Sequence, residues 1–190
     1  AIMFMLPFLA AAWDQLTIGG AAGQIKENAP HNISFMMLIV TAIPGLLLAA
    51  GIMGTPVIRD YEHKTSSLFF TTPITKFQYL TGRFLGSFLT AVFIFSGMVW
   101  GMALGHLSPW LDADKLLPFN FWHYLHPFFT IVLPNLFIMS GLFFMGGALS
   151  KKMLVVFTQG VGMLVLYVIS VQMLSDLESQ SMAALMDPFA

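Results

Sequence analysis

The sequence predicts an all-α, polytopic transmembrane helical bundle, with four complete membrane crossings and a truncated first one. Composition is the first observation behind that expectation: 57% of the residues are hydrophobic and 9% are charged. A soluble domain carries about 25% charged residues, and the mean hydropathy here is +0.81. The second is the spacing of the apolar runs. A helix needs about 20 apolar residues to cross about 30 Å of hydrocarbon, and the stretches 33–58, 84–107, 128–149 and 153–173 meet that length. The third is the sorting of charge. Arg59, Lys64, Lys76, Arg83, Lys151 and Lys152 fall in two short segments beside only Asp60 and Glu62, whereas the remaining segments hold Lys26 and Lys115 beside seven carboxylates. Cytoplasmic loops carry the Lys/Arg excess in membrane proteins, so the two basic segments are expected in the cytoplasm.

Taken in order, the segment 2–13 is apolar but too short to span, and it reads as the outer end of a helix whose beginning is missing. A signal peptide would need a basic leading region before its apolar stretch, and none precedes it. The span 33–58 then runs inward, with Pro44 freeing a backbone carbonyl and bending the helix. The segment 59–83 is the expected cytoplasmic loop. Within it Thr65 is placed to cap a short helix, Leu68, Phe69 and Phe70 give that helix an apolar tip, and Pro73 stops it. The span 84–107 runs outward and sets Gly97, Gly101 and Gly105 on one face. Gly82 and Gly86 repeat the spacing, which permits close backbone approach.

The outer segment 108–127 is expected at the interface, its stretch 116–127 as an interfacial helix: Phe119, Trp122, Leu125 and Phe128 recur every three residues, with Asn120, His123 and His126 on the wetter side. Trp13, Trp110, Trp122 and Tyr124 are expected among the headgroups. The span 128–149 contains Pro134 and returns inward. Ser150-Lys151-Lys152 forms a tight cytoplasmic turn, and 153–173 exits to an acidic tail.

Several function classes are set aside by what the residues are. Nucleic acid is not an expected partner, because no basic surplus or Lys/Arg stripe interleaved with aromatics is present. The chain has no Cys, which removes disulfides, thiolate metal sites and a Cys nucleophile. There is no Gly-rich phosphate cradle followed by Lys, and no His-Glu-x-x-His. Between the ends of the spans no Asp, Glu, Lys or Arg occurs, so the titrating group of a proton-coupled carrier is missing, and the driving energy must come from elsewhere.

Four smaller constellations have two readings each. His123 and His126, three apart, either share a metal or form a headgroup-facing pair. Glu62 and His63 serve acid–base chemistry or belong to a solvated docking loop. Asn135, Gln159 and Tyr167 line a substrate path or bond between helices, as does Gln172. Asn32-Ile33-Ser34 matches a glycosylation tripeptide, a pattern that arises by chance.

The run from Arg59 through Glu62, Thr65, Leu68, Phe69, Pro73, Ile74, Tyr79 and Gly82 to Arg83 resembles the first cytoplasmic loop of ABC-2 type transporter permeases. The resemblance extends over essentially the whole chain, with the number of spans before and after the loop in agreement. It implies that the loop is a coupling helix docking in a groove of an ATP-binding subunit, with Arg59, Glu62, Lys64, Thr65, Leu68, Phe69, Phe70 and Pro73 as the contact. The family usually has an acidic residue two positions after the Thr; here it is Ser67, so an ion pair at that site is not carried over. The phrases Lys26-Glu27-Asn28-Ala29-Pro30, Leu117-Pro118-Phe119-Asn120-Phe121-Trp122 and Ala148-Leu149-Ser150-Lys151-Lys152 are similar to a Bacteroidetes-like branch in which further spans and a zinc aminopeptidase domain follow.

What the resemblance implies is the permease half of an ABC exporter in a bacterial inner membrane, paired with a second, identical or related permease half. ATP and Mg would be bound by the separate ATP-binding subunit, with no cofactor and no catalysis in this chain. Its cargo would be a lipid, glycan, peptide or small molecule. The competing expectations are a membrane-embedded, His-dependent metal enzyme and a non-transporting anchor for a fused peptidase.

Overall fold

A computed structural model describes residues 1–12, 28–62, 75–109, 111 and 116–175. Every regular element among them is helical. The first, α1 (Ile2–Ala12), is short. The second crossing is a composite: α2 (Pro30–Val40), a π-helical turn (Thr41–Gly45) and α3 (Leu46–Glu62). The third is a single helix, α4 (Lys76–His106). The fourth joins α5 (Trp122–Pro127), a π-helical turn (Phe128–Val132) and α6 (Leu133–Ser150). The fifth is α7 (Met153–Ser175). Four of these runs are long and apolar enough to cross a bilayer: Pro30–Asp60, Lys76–His106, Trp122–Ser150 and Met153–Ser170.

The π-helical turns have a local cause. Proline has no N–H to offer the carbonyl four residues back, and a widened turn relieves the clash. Pro44 sits inside the first such turn; Pro127 directly precedes the second and Pro134 stands two residues after it. At the first, Thr41 Oγ1 donates to Met37 O at 2.7 Å. Gly45 allows the Phe95 ring to lie where a Cβ would come within 3.0 Å of it, so the bend is filled rather than left as a void.

Helix α3 is the central strut, packed against α4, α6 and α7. Ala49, Ala50 and Met53 on α3, Phe95 and Met98 on α4, Leu136 and Phe143 on α6 and Val156 on α7 are fully enclosed. Lipid tails are as apolar as these side chains, so close van der Waals fit holds the helices together instead of water exclusion. Small residues supply that fit at the α3–α6 crossing, where a Cβ on Gly147 would stand 3.3 Å from the Gly54 backbone. Phe84 and Phe88 on α4 meet Phe137 edge-on at ring separations of 6.1 and 5.5 Å, and Phe84 meets Phe144 at 5.4 Å.

Three expectations need correction. The expected loop 59–83 is shorter: residues 59–62 close α3 and 76–83 open α4. Thr75 starts α4 by a capping box, its hydroxyl accepting from Gln78 N while Gln78 Oε1 accepts from Thr75 N. A 31-residue helix is about 46 Å long and overshoots about 30 Å of hydrocarbon, so its polar first turns stand outside the apolar layer while remaining helical. The expected interfacial helix 116–127 is also not one element. Residues 116–120 are non-helical, and helix begins at Trp122 in continuity with the fourth crossing. Pro118 withholds a donor, and Asn120 Oδ1 accepts from Trp122 N at 3.0 Å, which starts the helix there. Tyr124, expected among headgroups, is buried. Trp13 and Trp110 lie outside the described residues.

Candidate functional site

The ends of α3 and α4 nearest the connecting residues 63–74 are joined by a polar clamp. Asp60 sits in the last turn of α3, while Tyr79 and Arg83, four apart, share one face of the first turns of α4. Tyr79 donates its hydroxyl to Asp60 Oδ2 at 2.5 Å, and Arg83 Nη2 donates to Asp60 Oδ1 at 2.7 Å. The same nitrogen lies 2.7 Å from Oδ2, with the Asp60 side chain 11% and that of Arg83 37% exposed. The guanidinium carbon lies 5.9 Å from the Tyr79 ring centre. A buried carboxylate needs a paired, hydrogen-bonded partner, and α4 supplies both groups. The two helices are therefore fixed to one another at the point where the connecting segment leaves and returns.

Of the residues expected to contact an ATP-binding subunit, Arg59 is exposed on the last turn of α3 and Glu62 is its final residue. Lys64, Thr65, Leu68, Phe69, Phe70 and Pro73 lie outside the described residues. Phe77 and Leu80, not singled out from the sequence, are exposed on the first turns of α4.

Gly97, Gly101 and Gly105 form the seat of α1. A Cβ on Gly101 would overlap the Phe4 carbonyl oxygen, and one on Gly105 would stand 2.6 Å from Ala11 Cβ and 2.8 Å from Phe8 O. Gly82 and Gly86 have nothing within 4 Å of such a Cβ. The common spacing thus covers two different surfaces, one filled and one open.

Asn135, Gln159 and Tyr167 have separate settings. Gln159 Nε2 donates to Leu142 O at 3.1 Å across the α6–α7 pair, and its Oε1 occupies the space over Gly146. Tyr167 is exposed on α7 and Asn135 is half-buried on α6.

The opposite end of the bundle has its own network, which the sequence reading missed. Asn28 is buried at the start of the second crossing; its Nδ2 donates to Leu117 O at 2.8 Å and its Oδ1 accepts from Leu117 N at 2.6 Å. His106 Nδ1 and the Tyr124 hydroxyl are hydrogen-bonded at 3.1 Å, with Phe119 stacked 5.7 Å from the Tyr124 ring. His123 Nε2 lies 3.4 Å from Asn120 Nδ2. Among the described residues no three His, Asp or Glu side chains converge as a metal site would require. The Ser140 hydroxyl on α6 is the one buried side-chain polar atom among the described residues without a hydrogen-bond partner. The only signal for the Asn28 clamp was the pair of phrases around Asn28 and Leu117, which the fold brings into direct contact.

The turn between α6 and α7 places Lys151 at φ 54°, the left-handed region in which residues other than glycine are uncommon. Ser150 Oγ donates to Gly146 O at 2.6 Å and accepts from Lys152 N at 3.3 Å, and Lys151 N donates to Gly147 O at 2.9 Å. These bonds close the end of α6 and reverse the chain in two residues.

In comparisons with known proteins, the family model described as "ABC-2 family transporter protein" matches residues 19–180. No curated protein and no solved structure matches the chain.

Proposed function

The chain belongs to the ABC-2 family of transporter proteins, and from that membership we propose that it is the permease half of an ATP-driven exporter whose segment 63–74 takes force from a separate ATP-binding subunit. It is a multi-pass membrane protein and a membrane subunit of a transporter. In this reading ATP and Mg are bound by the partner subunit and a second permease half completes the pathway. The bilayer is a bacterial inner membrane, with segment 63–74 on its cytoplasmic side.

The clamp of Asp60 with Tyr79 and Arg83 carries the reading. A segment that leaves α3 and re-enters α4 delivers motion to both helices together only if its two roots cannot part. Two hydrogen bonds to a largely buried carboxylate resist that parting, the one from Tyr79 worth about 1.5–3 kcal/mol and the one from the more exposed Arg83 about 1 kcal/mol after solvent screening. Since α3 is packed on α6 and α7 while α4 carries α1, displacement at 63–74 would be passed to all the crossings as a rigid-body tilt. That is the kind of change by which a cleft between two halves switches access.

The test is replacement of both Leu68 and Phe69 by Asp in the full-length protein. The expected result is loss of co-purification of the ATP-binding subunit with unchanged membrane insertion. Retained co-purification would remove the docking assignment.

A further inference from the structure

Between α3 and α4, just below the clamp, lies an open furrow of about 470 Å³ lined among others by Gly51, Thr55, Gly82, Arg83, Gly86 and Thr90. No other part of the described chain fills it: a Cβ on Gly51, Gly82 or Gly86 would meet nothing within 4 Å. Its walls change character along their length. Thr55 donates to Gly51 O, Ser87 to Arg83 O at 2.7 Å and Thr90 to Gly86 O at 2.8 Å, so these hydroxyl protons are spent on their own helices. The inner part of the furrow thereby offers no free hydroxyl proton, and its surface is mostly apolar.

The mouth is cationic. Arg83 is on its rim. Arg59 follows Thr55 by four residues and Pro56 by three, and Lys76 precedes Arg83 by seven, so helical periodicity sets both on the furrow-facing sides of their helices. Both are exposed. Against these three cations stand Asp60, which is paired with Arg83, and Glu62, leaving a positive balance.

Depth in the bilayer matches this division. No charged residue occurs from 84 to 105, and residues 84–106 make about 34 Å of helix, enough for about 30 Å of hydrocarbon. Arg83 therefore stands at headgroup level, while Gly86 and Thr90 lie about 4 and 10 Å deeper. A furrow that is positive at the headgroups and bare among the acyl chains fits an amphiphile with an anionic head.

We propose that this furrow is a binding site for an anionic phospholipid, its phosphate held at the mouth by Arg59, Lys76 and Arg83 and one acyl chain laid along Gly51, Gly86 and Thr90. The lipid fills the gap directly beneath the clamp and stiffens the α3–α4 pair.

The experiment uses the full-length protein, delipidated in detergent and titrated with dioleoyl phosphatidylglycerol, dioleoyl phosphatidylcholine or glycerol 3-phosphate. Bound lipid is read by native mass spectrometry, folding by circular dichroism and assembly by gel filtration. Phosphatidylglycerol should bind in preference to phosphatidylcholine, and glycerol 3-phosphate should not compete. Gly86→Leu should weaken phosphatidylglycerol binding about tenfold or more, through loss of acyl contact. Gly141→Leu, at a glycine that also faces open space but lies on α6, should leave it unchanged. Arg59→Ala and Lys76→Ala should each cut the preference for phosphatidylglycerol about fivefold, and these two decide the matter if Gly86→Leu fails to fold. Equal binding by wild type and Gly86→Leu, equal loss in Gly141→Leu, no preference between the two lipids, or competition by glycerol 3-phosphate would overturn the proposal. A change of oligomeric state in Gly86→Leu would assign the furrow to a helix of a second copy and overturn it as well.

Discussion

Removing the Asp60 carboxylate should loosen the α3–α4 pair by an amount that the geometry sets. Asp60 accepts one bond from the Tyr79 hydroxyl at 2.5 Å and one from Arg83 at 2.7 Å. Hydrogen bonds to charged groups contribute about 1.5–3 kcal/mol each. Arg83 is more than a third exposed, so solvent screening brings its share down to about 1 kcal/mol. Asp60→Ala is then expected to cost about 2.5–4 kcal/mol, Arg83→Ala about 1 kcal/mol and Tyr79→Phe about 1.5–3 kcal/mol. In a double-mutant cycle the Asp60–Arg83 pair should show a coupling of about 1 kcal/mol. The assay is denaturant titration of the intact protein in micelles, with coincident fluorescence and circular dichroism transitions required before a free energy is extracted. Additive single and double mutants, with a coupling below about 0.3 kcal/mol, would refute the clamp as an energetic link.

Two other sites give sharp expectations. Gly101→Ala should destabilise the protein by about 1–3 kcal/mol, because the added Cβ overlaps the Phe4 carbonyl oxygen and stands 3.2 Å from the Phe4 carbonyl carbon, an overpacked contact that α1 must retreat to relieve. Gly141→Ala, with open space around it, should be neutral or stabilise by up to about 1 kcal/mol through helix propensity; the same titration compares them, and equal effects would remove the close-packing account of α1. Asn28→Ala should cost about 1–3 kcal/mol by leaving the Leu117 amide and carbonyl without the partners they have at 2.6 and 2.8 Å. It should also raise hydrogen exchange at Leu117, and unchanged protection there would contradict the role assigned to Asn28.

The helical class and its long crossings were legible because hydrocarbon thickness acts on composition directly, and no tertiary information is needed to count apolar residues. Helix ends were less so. Lys76, Tyr79 and Arg83 are polar enough to read as loop, and only the capping box at Thr75 shows that α4 starts before the hydrocarbon does. The glycine repeat at 97, 101 and 105 announced a close approach without naming the surface that makes it, since Gly82 and Gly86 carry the same spacing and stay open. Partners far apart in sequence were the least legible. Asn28 and Leu117 are 89 residues apart, and neither residue type is unusual where it stands. Asp60 and Arg83 looked like scattered loop charges because charge counting has no term for which helix face each occupies. Gln159, read as either path or bond, makes a bond to Leu142 O; the sequence offered the polar group but not the distance to the neighbouring backbone.

The central claim is that the segment between α3 and α4 lies in the cytosol within reach of an ATP-binding subunit, and its sidedness is open to direct measurement. These 190 residues contain no cysteine, so in this region a Ser66→Cys substitution supplies a single reporter thiol. In intact cells a membrane-impermeant maleimide should leave position 66 unmodified and should label it fully once the membrane is permeabilised. Labelling at position 66 in intact cells would put the segment on the outer face and contradict the account.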